Sequence, residues 1–430
     1  MARLLFFGDR VPRGALGWDA ATLRAAEELG ILRAVGEEVV PELVLRPQTL
    51  GPAGVDGWIV SDRDEMAGVS PLRADHVLGV GGAGRTLTSL LPRAGSGLAL
   101  DLGCGCGIIA LELRLRGYRV VATDVSERAL RITAVNVALN GLDGVETRHG
   151  SLYDPVADER FALIASNPPF VVTPRRAGVT RYEYRDGGRS GDALMAEVVA
   201  GLAGHLAPGG QARVLGNWEG AADRVAGWAS GVGTWVVERE RMDPAAYAHL
   251  WIRDGGTLPG SAEYDDLLAA WLDDFEDRGV SELGMGWVIV TASDPALRRV
   301  EAVGQQVGSE WLGAHVAAAL AVHEGLERMD DVALAASACR VAPDVTEARH
   351  HVPGEEAPSV IELRQGGGLG RTVAVDPALA AVVGACDGDL PLGALIDAVA
   401  DLLEVGAAEL RADILPRVRE LLFCGFLTLD

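Results

Sequence analysis

The sequence predicts an α/β fold with a doubly wound, Rossmann-like core. Two observations carry this prediction: apolar strand segments alternate with helical segments through residues 96–295, and glycine or Pro-Gly-Gly follows several of the helices. Repeated strand–helix–strand order is typical of a parallel sheet with helices on both faces. A chain of 430 residues is long enough for two or three domains, so the core need not fill it.

The regions on either side of the core show a different pattern. Residues 1–95 begin with a helical pattern, with apolar residues at Leu23, Ala26, Leu29 and Leu32, and continue into "LVLRPQTLGPAGVDGWIVSD", two strands around a Gly/Pro loop. Residues 296–430 mix helical stretches with short strands, with "ALAASACRVA" and "SVIELRQGG" as strand candidates, and close on "GFLTL", which is typical of a winged-helix or interaction module. We therefore expect an α/β core over 96–295, flanked by smaller N-terminal and C-terminal α+β modules.

The elements of the core can be placed in order. "GLALDLG" is an apolar strand, and the helix after it stops at Gly117. "YRVVATD" is the next strand, followed by a helix with Ser126 as N-cap candidate and Gly141 as stop signal. "GVETRHGSL", "FALIASN" and "QARVLGNW" are further strands. "TWVVERE" and "MGWVIVTA" are two further strands, expected as an edge pair.

Composition excludes some classes of function. The chain carries 61 acidic residues against 38 Lys and Arg, a formal charge of −23, which argues against a mainly electrostatic grip on nucleic-acid phosphates. The net charge does not rule out a local basic patch. Five scattered cysteines do not form a disulfide framework, and no apolar run approaches a membrane span. The N-terminus lacks a signal-peptide pattern, so we expect a soluble cytoplasmic protein without membrane contact.

The strongest motif is "LALDLGCGCGIIAL", a strand that ends at Asp101 and turns through alternating glycines into a helix. Glycine allows a sharp turn and lets a ligand approach the helix N-terminus. The dinucleotide pattern G-x-G-x-x-G fails here, because its third glycine position falls on Ile108. One strand later, Asp124 stands where an acidic residue can accept hydrogen bonds from both hydroxyls of a ribose.

A second motif, "SNPPF", follows the apolar run "FALIA". Both prolines fix φ and lack an N–H, so they stiffen the chain and end the strand. On its own this segment would be a turn. Its position two strands after the glycine motif favours a functional role.

Together, "ALDLGCGCGIIAL", "VVATDVSERALRITAVNVALNGL" and "FALIASNPPF" resemble the class I S-adenosylmethionine-dependent methyltransferases. More narrowly, they are similar to the small-domain group with an Asn-Pro-Pro-aromatic motif, which includes release-factor glutamine N5-methyltransferases, rRNA guanine N2-methyltransferases and adenine N6-methyltransferases. The resemblance covers about residues 75–220 and implies S-adenosyl-L-methionine as cofactor. The cofactor-binding residues it implies are Asp101, Gly103, Cys104, Gly105, Gly107, Asp124, Val125, Ser151, Leu152 and Asn167. Relatives carry a Gly-Asp-Leu type sequence at this place, and Ser151 stands where their polar residue contacts the adenine.

The catalytic candidates are Asn167, Pro168, Pro169 and Phe170. An amide or aromatic amino nitrogen is planar, and its lone pair must be aimed at the sulfonium methyl. The side-chain oxygen of Asn167 and the carbonyl of Pro168 can hold its N–H groups, and Phe170 can cover its face. We expect an N-methyltransferase for a protein or small-molecule amide or amine, protein glutamine foremost. Two alternatives stay open: a nucleic-acid base methyltransferase and a non-catalytic binding protein on this fold.

Several other residues allow two interpretations. The basic stretch with Arg175, Arg176, Arg181, Arg185 and Arg189 is either a substrate loop for an anionic or peptide partner or a solvated loop. Its Glu183, Gly187, Gly188, Gly191 and Asp192 loosely resemble a glutamine-methyltransferase segment. Cys104 and Cys106 are interpreted as small residues that a crowded, tight turn tolerates. They are not interpreted as zinc ligands, because their spacing does not suit a tetrahedral site. His76 is either structural or at the pocket border, and Trp218 lies at a strand end beside the expected site.

Overall fold

The secondary structure of the core follows the predicted order of strands and helices. In a computed structural model, the described residues are 2–64, 73, 75–176, 178–179, 184–305 and 312–429. They divide into two compact units, Met1–Thr88 with Arg93–Ala302 and Ser89–Pro92 with Val303–Asp430. The predicted N-terminal module and core thus share the first unit. The sequence boundaries at 95/96 and 295/296 stay predictions.

Strands of the first unit form three sheets. Their bounds are β1 (Val11–Pro12), β2 (Leu32–Val35), β3 (Glu38–Pro41), β4 (Leu43–Leu50), β5 (Val55–Asp62), β6 (Leu98–Leu102), β7 (Arg119–Asp124), β8 (Val145–His149), β9 (Phe161–Ser166), β10 (Leu206–Glu219), β11 (Gly233–Met242), β12 (Leu283–Thr291) and β13 (Arg298–Ala302). The helices up to β13 are α1 (Ala2–Leu5), α2 (Ala20–Glu28), α3 (Gly82–Leu90), α4 (Ile108–Leu115), α5 (Glu127–Leu139), α6 (Ala193–His205), α7 (Ala222–Ala226), α8 (Pro244–Asp254) and α9 (Ala262–Asp277).

The central sheet has eight strands in the order β13-β11-β12-β10-β9-β6-β7-β8. Strands β8, β7, β6, β9 and β10 run parallel, whereas β12 pairs antiparallel with both β10 and β11. The Rossmann-like core is confirmed, and its sheet is mixed. The predicted pair β11–β12 exists and is antiparallel, but it is not at the edge, because β13 pairs with β11. A core of aliphatic side chains and Trp218 lies between this sheet and helices α6 and α7.

Helix boundaries follow capping chemistry. Ser126 caps α5 by accepting a hydrogen bond from the backbone N–H of Ala129 at 3.3 Å, as predicted. The first helical pattern was expected to run from Leu23 to Leu32, but α2 ends at Glu28. Gly30 has φ 68°, a left-handed conformation that ends the helix, and Leu32 opens β2 instead.

The hairpin β4–β5 is bound to the helices that follow the glycine motif. The backbone N–H of Gly51 donates to the buried carboxylate of Glu112 on α4, at 3.1 Å and 3.2 Å. On α5, the Asn136 side chain bonds both the N–H and the carbonyl of Val60, at 2.7 Å and 2.9 Å. Asn140 does the same with Trp58, at 2.9 Å and 2.8 Å. These side-chain amides thus pair with the backbone of β5 as a neighbouring strand would.

The second unit is α+β, as predicted. It contains α10 (Leu312–Leu326), α11 (Asp331–Ala336), β14 (Ala338–Val341), β15 (Val345–His350), β16 (Val360–Gln365), β17 (Thr372–Val375), α12 (Pro377–Gly384), β18 (Asp387–Pro391), α13 (Leu392–Leu403), α14 (Ala407–Phe423) and β19 (Leu427–Leu429). Its sheets have the orders β18-β14-β19 and β15-β16-β17. The segment "ALAASACRVA" was expected as a strand, but its first part is helix α11. Winged-helix character stays a prediction.

Candidate active site

The candidate site lies at the carboxyl ends of β6, β7 and β9. Leu102 is in register with Thr123 on one side and with Ser166 on the other. The next residues, Gly103, Asp124 and Asn167, therefore leave the sheet side by side. The hydroxyl of Ser166 donates to the carbonyl of Leu102 at 2.7 Å and fixes this edge. A cavity of about 780 Å³ opens there, in the place where α/β sheets bind ligands.

We call one side of this cavity the glycine wall, formed by residues 102–106, 123–126 and 150–152. Gly103 and Gly105 have φ values of 79° and 54°, and a Cβ at either would meet no atom within 4 Å. Their backbone therefore faces open space that a ligand can enter. A Cβ at Gly107, in contrast, would lie 2.7 Å from the hydroxyl of Thr133. Gly107 thus allows close packing of the turn on α5.

The carboxylate of Asp124 is held by the backbone of the glycine wall. It accepts hydrogen bonds from the N–H of Gly105 at 3.0 Å and of Ser126 at 2.9 Å. Burial raises the pKa of Asp124, and these backbone donors oppose that shift. A carboxylate has about four lone-pair sites, so both oxygens can still accept hydrogen bonds from the hydroxyl groups of a ligand in the cavity.

Asp101 and Gly107 are the predicted cofactor residues that do not line the cavity. Asp101 is 1% exposed, and its Oδ2 atom has no hydrogen-bond partner among the described residues. Burial raises the pKa of Asp101 to about 8. A neutral carboxyl beneath the glycine turn is the consequence at neutral pH.

The other predicted cofactor residues line the cavity in different ways. The side chain of Val125 is 58% exposed, as an apolar surface for a ring would be, and Ser151 is exposed beside it. Leu152 has φ 47°, a strained left-handed conformation for a leucine. The thiol of Cys104 is turned away and accepts a hydrogen bond from Thr133 at 3.4 Å. Burial raises the pKa of this thiol well above its ordinary value.

Opposite lies the proline wall, formed by residues 167–171 and 184–189 with Trp251 and Asp254 of α8. The side-chain oxygen of Asn167 is buried and has no hydrogen-bond partner within the described part of the chain. Pro168 is buried, Pro169 and Phe170 are half-buried, and all three line the cavity. The ring of Phe170 meets Trp251 edge-on, with centroids 6.2 Å apart. An unpaired acceptor beside aromatic rings suits a planar N–H group.

Tyr247 of α8 fixes the proline wall from behind. Its hydroxyl accepts hydrogen bonds from the N–H of Val172 at 3.1 Å and from the Asn217 side chain at 2.8 Å. The N–H of Val171 donates to the carbonyl of Arg185 at 3.0 Å. The chain after the two prolines is thus bound to β10, to α8 and to the next loop.

The arginines of the predicted substrate loop are paired within the protein. Arg175 forms two hydrogen bonds with the buried carboxylate of Asp186, at 3.0 Å and 2.6 Å. The other described ion pairs are Arg176–Asp277, Arg185–Asp254 and Arg189–Glu197. Arg181 and Glu183 lie outside the described residues. Gly187 and Gly188 line the cavity, whereas Asp192 accepts a hydrogen bond from the N–H of Glu219 at 2.8 Å.

Residues 75–84 form a third side of the cavity, for which sequence reasoning named only His76, as either structural or at the pocket border. The glycine run "GVGGAG" before α3 was a usable signal, because it resembles a loop that a ligand approaches. Trp251 carried no such signal. The prediction that Trp218 lies beside the site was wrong, because its side chain is fully buried and does not line the cavity.

Residues 79–224 match the family model described as Methyltransferase small domain. This segment is similar to the methyltransferase small domain. The predicted resemblance is therefore confirmed, and both walls of the cavity belong mainly to this domain. Residues 317–429 match a second model, described as a domain of unknown function, DUF7782.

Relatives of the methyltransferase small domain are named as glutamine methyltransferases. A release factor glutamine methyltransferase of Xylella fastidiosa is 40% identical over 114 residues, which cover 25% of this chain and 41% of that protein. One of Geobacter sulfurreducens is 35% identical, covering 33% and 52%. A ribosomal protein uL3 glutamine methyltransferase of Bradyrhizobium diazoefficiens is 36% identical, covering 21% and 30%. The chain spans about half or less of the length of these relatives.

Among solved structures, a methyltransferase from Pyrococcus furiosus matches at 15% identity and TM-score 0.30, covering 49% of this chain and 80% of that one. No cluster of His, Cys, Asp and Glu that could hold a metal ion occurs among the described residues. Within the same ranges, every helix is too short or too polar to cross a bilayer.

Proposed function

We propose that the chain is an S-adenosylmethionine-dependent methyltransferase that methylates a carboxamide nitrogen, with protein glutamine as the preferred acceptor. The observation that carries the proposal is the side-chain oxygen of Asn167, buried at the cavity without a hydrogen-bond partner in the described residues. A buried acceptor left unpaired costs about 1–3 kcal/mol, so the site is built for a donor that arrives with its ligand.

The glycine wall fits the cofactor. Asp124 would hold the ribose hydroxyls, since it lines the cavity and its oxygens are fixed by Gly105 and Ser126. Val125, Ser151 and Leu152 would surround the adenine, and the open backbone at Gly103 and Gly105 would admit the methionine half. Asp101 would act indirectly, by supporting the turn. When bound, S-adenosylmethionine supplies a methyl group on a sulfonium, ready for displacement by a nitrogen.

The proline wall would position that nitrogen. The Asn167 oxygen and the Pro168 carbonyl accept the two N–H groups of a carboxamide, which directs the nitrogen lone pair across the cavity. Phe170 and Trp251 offer ring surface to the planar amide. Tyr247 holds the segment rigid through Val172, so little reorganisation is needed during the reaction.

Two arguments support glutamine over a nucleobase. The named relatives act on a release factor or a ribosomal protein, and their names specify glutamine. The four described arginines of the loop are engaged by Asp186, Asp277, Asp254 and Glu197, so their charges are neutralised within the protein. Together with the net charge of −23, this pairing disfavours electrostatic binding to a nucleic-acid phosphate backbone.

The experiment is transfer of a labelled methyl group into cell lysate, followed by identification of the labelled species. We expect label in protein at a glutamine side chain, with none when Asn167→Ala replaces the wild type. Label that survives protease but is released by nuclease would instead establish a base methyltransferase. Absence of S-adenosylmethionine binding in calorimetry would favour a non-catalytic binding protein.

A further inference from the structure

His76 is a buried imidazole on the third side of the cavity, outside the two walls that account for the proposed reaction. It is 4% exposed and lines the cavity. Its Nε2 atom is buried and has no hydrogen-bond partner among the described residues. Like the oxygen of Asn167, this atom lies at the cavity, where a polar group of a ligand can pair with it.

The position of the ring relates it to the proline wall. Its centroid lies 5.7 Å from that of Tyr184, in an edge-to-face arrangement. Tyr184 directly precedes Arg185, whose carbonyl accepts the N–H of Val171, the residue after Phe170. His76 therefore contacts the loop that backs the acceptor end of the cavity.

Asp62 at the end of β5 holds this part of the chain in place. Its carboxylate accepts the N–H of Val77 at 2.8 Å, and its own N–H donates to the carbonyl of Val77 at 3.1 Å. Arg128 of α5 donates its Nε to the same carboxylate at 2.9 Å. The backbone beside His76 is thus fixed on both sides of the Val77 peptide, while the ring nitrogen stays available.

Burial keeps the His76 ring neutral near neutral pH. It lowers the pKa of His76 and is the largest effect. Asp62, Asp64 and Asp75 act in the opposite direction, and Arg128 adds to the lowering. On the facing loop, residues 184–189, the titratable groups are Tyr184, Arg185, Asp186 and Arg189. A neutral imidazole with a free nitrogen can accept a proton or a hydrogen bond.

We propose that Nε2 of His76 takes the proton that the acceptor nitrogen must lose after methylation. This inference rests on the proposed function. The nitrogen lone pair forms the bond to the methyl carbon, and the carbon–sulfur bond breaks with its electron pair going to sulfur. The methylated amide, now positively charged, gives up one of the two hydrogen bonds that held it and passes that N–H proton to Nε2. The resulting imidazolium returns the proton to solvent, and the neutral N-methyl amide leaves.

The first test uses wild-type protein and does not depend on turnover. Nitrogen-15 NMR of protein labelled at histidine and asparagine, saturated with S-adenosylhomocysteine, follows the Nε2 signal of His76 and the side-chain amide of Asn167 during a titration with propionamide, a minimal primary carboxamide. We expect the His76 signal to shift, and propionate at equal concentration to leave it unchanged. A shift confined to the Asn167 side-chain amide would overturn the role of His76 and leave the proposed function standing. If neither residue responds although the cofactor analogue binds, the acceptor site assumed for both is wrong.

The second test measures turnover on the acceptor found in lysate. His76→Gln should lower kcat by about 100-fold, at the low end for general base catalysis because proton loss follows the transfer. The dissociation constant for S-adenosylhomocysteine should stay within about twofold, and the thermal midpoint reports folding. His205→Gln is the matched control, since His205 is half-buried, bonds the Gly201 carbonyl of its own helix and does not line the cavity.

Chemical rescue separates proton transfer from structure. His76→Gly leaves room for a small base, and added imidazole should restore part of its kcat with a dependence on the concentration of neutral imidazole. Wild-type kcat should fall as pH drops through the pKa of His76, and this acid limb should be absent in His76→Gln. An unchanged acid limb together with no rescue would overturn the proposal.

Discussion

The glycine wall and the proline wall of one cavity are held by different means. In the glycine wall, backbone N–H groups fix the functional carboxylate of Asp124, and all the contacts come from three adjacent strand ends. In the proline wall, side chains fix the backbone: Tyr247 binds the N–H of Val172 from a helix about 75 residues further along the chain. Under the proposed function, binding of the cofactor would therefore depend on local geometry, whereas positioning of the acceptor would depend on tertiary packing.

Substitution of Asn167 by alanine should separate the two walls most sharply. We expect methyl transfer to fall by about 10³-fold, the upper range for loss of one preorganised polar group. Affinity for S-adenosylhomocysteine, measured by calorimetry, should stay near the wild-type value because the glycine wall is intact. Equal losses of affinity and rate would show that Asn167 is structural, and the distinction between the walls would fail.

Asp124→Ala should produce the reverse pattern. Losing two charge-assisted hydrogen bonds to the ribose weakens cofactor binding by about 3 kcal/mol, or roughly 100-fold. The same calorimetric titration measures the effect. Asp143→Ala is the control, since its side chain is 91% exposed and pairs with Arg114 at the surface. If both variants bind the cofactor as wild type does, Asp124 is not a ribose ligand.

Tyr247→Phe tests the support behind the proline wall. Removing the hydroxyl leaves the N–H of Val172 and the Asn217 amide without their acceptor, a loss of about 1–3 kcal/mol in unfolding free energy. We expect kcat to fall by about tenfold with cofactor affinity preserved, since the Asn167 segment loses rigidity.

Tyr264→Phe provides the comparison, because its hydroxyl bonds His249 at 2.6 Å on the outer helices. Urea denaturation and steady-state kinetics of both variants decide the matter. Similar kinetics for the two would mean that the hydroxyl of Tyr247 contributes to stability alone.

The smallest effect on activity is expected for Asp101→Asn, whose consequence is a change in pH dependence. The folded-state pKa of Asp101 is raised to about 8, against an ordinary value near 3.9 in the unfolded chain. Between these values the folded protein keeps a proton that the unfolded chain releases, so stability falls as pH rises from about 4 to about 8. The amide variant should lose this slope in urea denaturation curves. An unchanged slope would place the titration elsewhere.

The contrast between the walls also explains what the sequence could predict. Gly103, Asp124 and Asn167 each follow an apolar strand directly, and parallel strands bring their carboxyl ends together, so their proximity was predictable. Tyr247 and Trp251 reach the site through tertiary packing of a helix that shows no local sign of it, whereas His76 lies just before the glycine run that precedes α3. Trp218 failed as a candidate because its strand end is covered by β12, a pairing that neighbouring sequence does not specify.

The fold shows the same limit. Alternation of strands and helices predicted the parallel half of the sheet, whereas the position of β13 beside β11 was missed. Periodicity placed Leu29 and Leu32 on one helix, yet Gly30 in a left-handed conformation separates them. Single residues with special backbone geometry override periodicity, because the chain reverses direction at them.

The hydrogen bonds between the β4–β5 hairpin and helices α4 and α5 have a consequence for dissecting this protein. A fragment limited to the matched segment 79–224 would lack Gly51, Trp58 and Val60, leaving the buried Glu112 and Asn136 without those partners. It would also lack β12, exposing nine residues of β10 as an unpaired edge prone to aggregation. The recognisable domain is therefore smaller than the unit that folds, and shared ancestry and cooperative folding have different boundaries in this chain.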